Sequence, residues 1–290
     1  MSDNVDPREW LVFRLAGQRY GIPIQYVREL TTRKGQCLRR VPGTPKCVLG
    51  VMRLRDRVLT IADLRTLMQI PSLDEETEEF VRTLDQHEQD HVRWLTELRA
   101  CVDEQREFTL ATDPHKCGFG RWYDALRADA DALEAFTNRD MTLNRLIHDF
   151  DQPHQRIHAI AQQVIEHVTH GREGDARQII EHTQNTELAE MKRLFASARE
   201  MVRELRHPLI AILERDDVTI GVTVDEFEGV LDLDADSVQS PPGRQSAGEL
   251  VIGFGQPDDE SELISLINVD VVFEQLGCTS AAELPEPVGA

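Results

Sequence analysis

Apolar and polar positions change rhythm twice along this chain. Over residues 10–70 the signals are short and strand-like. Trp10 to Leu15 is rich in apolar residues, and Tyr20-Gly-Ile-Pro-Ile-Gln-Tyr-Val alternates. Val48 to Leu54 and Arg57 to Ile61 follow, with Pro and Gly at 42–45 and 50 as punctuation. Apolar residues at 61, 64, 67 and 68 then predict one short helix. From residue 73 to 207 strand signals stop and helical spacing takes over. From 209 to 277 the opening order returns. Ile220 to Val230 resembles Tyr20 to Leu30, Pro241-Pro-Gly resembles Val41-Pro-Gly, and Leu263 to Phe273 resembles Val58 to Met68. Two similar small β-barrels, each closing its sheet to remove edges, account for the repeat.

The middle segment predicts several long helices. Ser72-Leu-Asp-Glu forms a capping box with Glu75 at its third helical position. Leu84, His91, Leu95, Leu98 and Val102 fall on one stripe, with Trp94 at its edge. A second helix begins near Gly120. Further helices cover Thr142 to Phe150 and Asp151 to Val168, the latter with Pro153 in its first turn. Gly171 and Gly174 interrupt the pattern, and Asp175 caps a last long helix to about Leu205, before Pro208. Short loops between long helices predict an antiparallel bundle. The expected organisation is α+β with two domains. A first β-barrel half spans 10–72, an inserted bundle 73–207, a second β-barrel half 208–278, and a tail 279–290. With insertion points near 72 and 208, a helix shift is expected to pull on both barrels.

Charge narrows the partners. Of the 290 residues, 52 are acidic and 32 are Lys or Arg, for a formal net charge of −20. Such a surface repels nucleic acid and anionic lipid. No run approaches the length of a membrane span, and the polar N-terminus lacks the apolar core of a signal peptide. Cysteines at 37, 47, 101, 117 and 278 have no disulfide-like spacing, which fits a reducing compartment. A cytoplasmic location with no membrane insertion is expected.

The candidate chemistry lies in the bundle. His154 and His158, four residues apart, share one helix face with Ile157, Ala161, Val164 and Val168. His91 sits on the apolar stripe, and Cys117 on a turn between helices can approach the same point. Three imidazoles and one thiolate suffice for a tetrahedral zinc site. His87, His115, His148, His167, His170 and His182 are near enough to compete as ligands. Glu88-Gln-Asp-His91 also matches one Glu-x-x-His unit of a di-iron bundle, where two such units are expected. Trp94 and Trp122 are most simply core aromatics. No P-loop, nucleophile elbow or kinase signature occurs, so no enzyme activity is expected.

Two resemblances organise these readings. Residues 41–65, Val-Pro-Gly-Thr-Pro through Gly-Val-Met-Arg-Leu-Arg-Asp-Arg-Val-Leu-Thr-Ile-Ala-Asp-Leu-Arg, and residues 221–231, Gly-Val-Thr-Val-Asp-Glu-Phe-Glu-Gly-Val-Leu, resemble CheW, the coupling protein of bacterial chemotaxis arrays. That resemblance implies a pair of small SH3-like β-barrels, here split by the insertion. It also implies an adaptor joining chemoreceptor cytoplasmic tips to the histidine kinase CheA. Arg55 matches a position associated there with receptor or kinase contacts, although the family's Arg-Gly pair reads Arg55-Asp56 here. On its own chemistry Arg55 is a solvated surface residue. A coupler that has lost its kinase contact and serves another partner is a further alternative.

The inserted segment resembles the chemoreceptor zinc-binding (CZB) domain through His-Val-Arg-Trp at 91–94, Cys-Gly-Phe-Gly-Arg-Trp-Tyr at 117–123 and Pro-His-Gln-Arg-Ile-His at 153–158. By that resemblance His91, Cys117, His154 and His158 are the zinc ligands. Gly118 stands where a basic residue is usual. Four protein ligands leave no open position for water, unlike a zinc hydrolase. A single thiolate in the set makes Cys117 the expected redox switch, with zinc modulating the adaptor. A purely structural zinc is the alternative.

Overall fold

A computed structural model describes residues 8–33, 37–137, 140–234, 237–240, 249–257 and 262–277. Pro241-Pro-Gly, Cys278 and the tail at 279–290 lie outside the described residues. The chain divides into two compact units. Glu76–Arg206 form one, and the segments on either side of it form the other. The architecture is α+β, two sheets with a helical insertion.

The split unit begins with β1 (Glu9–Leu15), β2 (Gln18–Pro23), β3 (Val27–Thr32), β4 (Val48–Leu54), β5 (Arg57–Asp63) and the short helix α1 (Leu64–Leu67). After the insertion come β6 (Leu209–Arg215), β7 (Val218–Val224), β8 (Glu226–Asp232), β9 (Val238–Gln239), β10 (Val251–Gly255), β11 (Ile264–Ile267) and a closing helix, α9 (Val269–Gln275). The internal repeat therefore matches hairpin with hairpin and α1 with α9.

Strand pairing departs from the expectation that each half builds its own sheet. The first sheet runs β8-β1-β2-β11-β10-β9 and the second β3-β6-β7-β5-β4. Each sheet thus takes one hairpin from one half of the sequence and its remaining strands from the other. Parallel pairs β2–β11 and β5–β7 join the contributions. The hairpins themselves are local. Ala16 and Gly17 (φ 48° and 80°) turn β1 into β2, and Asp216 and Asp217 (φ 48° and 64°) turn β6 into β7. Two left-handed residues in succession match the twist of tight hairpins. The other strands must pair over long sequence separations, and a repeat does not specify which copy they join. One core serves both sheets, with Leu11, Phe13, Leu15 and Ile22 meeting Leu213, Ile220, Val222 and Phe273.

Both junctions of the insertion belong to the second sheet, since β5 precedes it and β6 follows it. Arg65, just after β5, donates from Nε to Asp225 Oδ1 at 2.8 Å and from Nη1 to the Pro71 carbonyl at 3.1 Å. Asp225 also accepts from the Ala16 amide at 2.7 Å. A buried ion pair therefore ties the segment entering the insertion to the turns of the first sheet. Arg55, in the β4–β5 turn, takes φ 53°, so the left-handed conformation falls on it and not on Asp56.

The inserted unit comprises most of α2 (Leu73–Glu104), then α3 (Gly118–Ala128), α4 (Ala130–Thr137), α5 (Met141–Asp149), α6 (Asp151–Thr169), α7 (Glu173–Asn185) and α8 (Glu187–Leu205). The Ser72 hydroxyl accepts from Glu75 N at 3.1 Å and Glu75 Oε2 accepts from Ser72 N at 3.0 Å, completing the capping box. Two helical expectations need revision. Helix α4 is an addition to the helices that the spacing predicts. The last long helix is two, broken at Thr186 (φ −113°, ψ −87°), whose hydroxyl donates to the His182 carbonyl at 2.7 Å. Such side-chain bonds offer the backbone an alternative to the helix. Asp175 lies inside the first turn of α7 and does not cap it. Leu84, Leu95, Phe119, Phe150, Ala161, Phe195 and Val202 form the bundle core.

Candidate metal centre

One face of α2 and one face of α6 bring three imidazoles together, and the N-terminus of α3 supplies a thiol. His91, Cys117, His154 and His158 offer ligand atoms that all lie within 4.8 Å of one another. The three histidines are 2–3% exposed. His91 comes from the apolar stripe of α2, and His154 and His158 are stacked one turn apart on α6. The heptad-like patterning that buries leucines therefore buries these rings too.

Hydrogen bonds set which nitrogen each ring presents. His91 Nδ1 lies 2.7 Å from the His87 carbonyl, which only accepts, so Nδ1 carries the proton. Nε2 is then bare, buried and without a partner. His158 is the mirror case. Its Nδ1 is buried without a partner. His154 Nε2 stands 3.3 Å from Cys117 Sγ. Cys117 caps α3, its sulfur accepting from Gly120 N at 3.1 Å. The thiol proton points to the Pro114 carbonyl at 3.3 Å.

Gly120 explains part of the cysteine motif. A Cβ there would overlap the Pro114 carbonyl oxygen, so only glycine lets the turn close under Cys117. Gly118 has no such constraint, since a Cβ there meets nothing nearer than Asp90 Oδ2 at 3.8 Å. The departure at 118 leaves the cluster intact.

Burial dominates the protonation states. It pushes His154 down to about 2 and His158 to about 4, with the charges of neighbouring imidazoles adding to the effect. His91 is lowered for the same first reason. Burial pushes the Cys117 thiol up, against the amides of Gly120 and Phe119 at the helix start. Without a cation the cluster is three bare imidazoles and a neutral thiol. Phe119 edges against His91 and His154 at 5.3 and 4.8 Å, and Trp94 lies 4.8 Å from His158. This aromatic wall encloses two orphaned nitrogens and a sulfur. Three nitrogens and one sulfur, with no carboxylate, fit a tetrahedral zinc ion.

The competing histidines stand elsewhere. His115 pairs with Asp124 at 2.8 Å, His170 with the Glu166 carbonyl at 2.7 Å, and His167 lies 3.8 Å from Asp175. His148 and His182 are also outside the cluster, as is His87, whose ring is buried against Trp122 and Phe119. Glu88 does not join His91. Its carboxylate is held by Arg199 at 2.8 Å, so the Glu-x-x-His unit of the di-iron alternative is not assembled. Arg55 is far out in solvent, its side chain 80% exposed and paired with Glu29 at 2.7 Å. Trp94 is more than a core aromatic, because its indole nitrogen donates to the Ala111 carbonyl at 2.8 Å. A buried indole N–H needs such a partner, a signal present in the sequence without its address.

Comparison with known proteins finds two family matches along the chain. The CheW-like domain model matches residues 9–91 and 184–277, running past the sheets into the flanking helices. The chemoreceptor zinc-binding domain model matches residues 91–165, which contain all four donors. Among solved structures, the crystal structure of the scaffolding protein TtCheW from Thermoanaerobacter tengcongensis is similar at 14% identity and a TM-score of 0.42, covering 95% of this chain and 98% of that one. No curated protein matches the chain. Together with the donor set, the second match gives zinc as the cofactor. No helix among the described residues is long and apolar enough to cross a membrane.

Proposed function

This chain belongs to the CheW-like domain family, and from that premise we propose that it couples chemoreceptor cytoplasmic tips to a CheA-type histidine kinase under the control of zinc. His91 Nε2, His154 Nε2, His158 Nδ1 and Cys117 Sγ would hold the ion. Bound zinc supplies the positive charge that keeps Cys117 a thiolate at neutral pH. The residues contribute fixed tautomers, a capped sulfur and an aromatic wall against water. Cys117 doubles as a redox switch, since a peroxide converts a thiolate to sulfenic acid with loss of water or hydroxide. Arg55, exposed on the β4–β5 turn, is the proposed partner contact on the sheets.

The observation that carries this reading is the placement of the donor cluster within a unit spliced into the second sheet. Helix α2, which bears His91, begins at Leu73, and α8 ends at Leu205, four residues before β6. Arg33 at the end of β3 pairs with Asp74 at 2.7 Å, tying the start of α2 to that sheet. Loosening the cluster would shift the packing of α2 and reach β5 and β6 first. A two-state change there is the proposed link between zinc and coupling. The depth of the donors favours a second reading, zinc as a structural staple.

Reconstituted receptor and kinase separate these outcomes. Kinase output should change when the adaptor is stripped of zinc or treated with peroxide, and the Cys117→Ser variant should lose the peroxide response. Output indifferent to both treatments leaves the staple. A protein that supports no kinase activation in any state removes the kinase from its partners, leaving a coupler for another partner.

A further inference from the structure

We infer that Arg199 sets the metal preference of the site: by holding the Glu88 carboxylate it withholds an oxygen donor and leaves a zinc-selecting cage of three nitrogens and one sulfur. The inference rests on the zinc reading above. It begins from Glu88, which stands three residues before His91 on α2. Side chains three apart on a helix are neighbours, with Cβ atoms about 5–6 Å apart. Glu-x-x-His is a spacing through which a helical bundle brings a carboxylate and an imidazole to one metal site. Here the imidazole joins the cluster and the carboxylate does not.

Helix α8 makes the difference. Arg199 Nη1 donates to Glu88 Oε2 at 2.8 Å and lies 3.0 Å from Asp85 Oδ1, gripping the turn of α2 just before His91. Glu88 is the enclosed partner, its side chain 13% exposed against 57% for Asp85. One turn back along α8, Phe195 is fully buried, and its ring centre lies 6.2 Å from that of His91. The face of α8 that packs against His91 is therefore the face that holds Glu88. A carboxylate this deep requires a cationic partner. With the guanidinium removed, the ion bound by His91, three residues along, becomes its counter-charge. An added oxygen donor raises the coordination number and hardens the donor set, which favours manganese or ferrous iron at the expense of zinc. Specificity built by excluding a competitor's contacts works in this way.

Arg199→Met keeps an unbranched apolar stem and removes the charge. Arg199→Gln, polar and uncharged, serves if the methionine variant does not fold. Full-length protein would be loaded with cobalt(II), whose visible bands are intense in four-coordinate sites and weak at higher coordination. It would also be titrated with zinc and manganese(II) against a chromophoric chelator. Wild-type protein should give the intense bands and a charge-transfer band from the Cys117 thiolate. In the variant the visible bands should fall severalfold while the charge-transfer band stays. Its manganese-to-zinc affinity ratio should rise about tenfold or more, the scale on which groups around a metal's ligands act. Adding Glu88→Gln to the variant should restore the wild-type spectrum and ratio, and Glu88→Gln alone should change neither. An ion pair that merely fastens α8 to α2 alters stability and leaves the coordination number as it is. Four-coordinate cobalt with an unchanged ratio in the variant overturns the inference, as does a shift that survives Glu88→Gln. Wild-type protein that takes up neither zinc nor cobalt overturns the zinc reading along with it.

Discussion

Cys117 is held by its neighbours in a way that a single methyl group can destroy. The Gly120 amide caps its sulfur while the Gly120 α-carbon rests on the Pro114 carbonyl. Gly120→Ala must push that backbone apart, at about 2 kcal/mol or more. Zinc affinity, measured by chelator competition, should fall at least about tenfold, as when a ligand loses its outer support. Gly118→Ala should bind zinc normally. The buried imidazoles make a second prediction. Their folded values lie below the ordinary 6.5, to about 4 for His158 and about 2 for His154. Unfolded histidine takes up protons first, so stability is whole above pH 6.5 and falls as the pH drops toward those values. Each ring contributes about 1.4 kcal/mol per pH unit within its window. Metal-free protein should therefore melt lower at pH 5 than at pH 7.5, and replacing His154 with Gln should flatten the slope. A melting point independent of pH over that range contradicts the assignment of buried neutral rings.

Elements were legible where their signals are local. The capping box, the strands of both repeats and the stripe of α2 all follow from short-range patterns, and the structure forms them. The break at Thr186 was hidden because Thr is only mildly unfavourable within a helix, and its bond to the His182 carbonyl depends on a backbone already bent. Hairpins permit a direct test. Asp217 takes φ 64° at the second position of a tight turn, where glycine is preferred. Asp217→Gly should stabilise the protein by roughly 0.5–1 kcal/mol, seen as a higher denaturation midpoint with an unchanged slope. Asp225→Ala should act in the opposite sense. It removes the carboxylate that accepts from the Arg65 guanidinium, whose side chain is 5% exposed. The expected loss is about 3 kcal/mol, and a change below about 0.5 kcal/mol by urea titration would show that the pair holds nothing together.

For the whole molecule, division into two compact units predicts two melting transitions rather than one. A chelator should lower only the transition belonging to Glu76–Arg206. At zinc a thousandfold above its dissociation constant, the linkage is about 4 kcal/mol. Calorimetry with and without chelator checks this, and a single transition that moves as one would mean that the units unfold together. What the amino-acid sequence determined alone was what depends on spacing along the chain: the class of fold, the repeat, the helical insertion and a set of donors rich enough for zinc. Helical periodicity turns such spacing into a shared face, which is why His91, His154 and His158 read as inward from the sequence. The tertiary structure decided which strands of one half join the hairpin of the other, because pairing energies are nearly the same for similar strands and only the packed core distinguishes them. It decided that both junctions enter one sheet, that Glu88 turns to Arg199 and away from His91, and that the Trp94 indole reaches the Ala111 carbonyl. Each of those depends on groups brought together from distant positions, where no periodicity carries information.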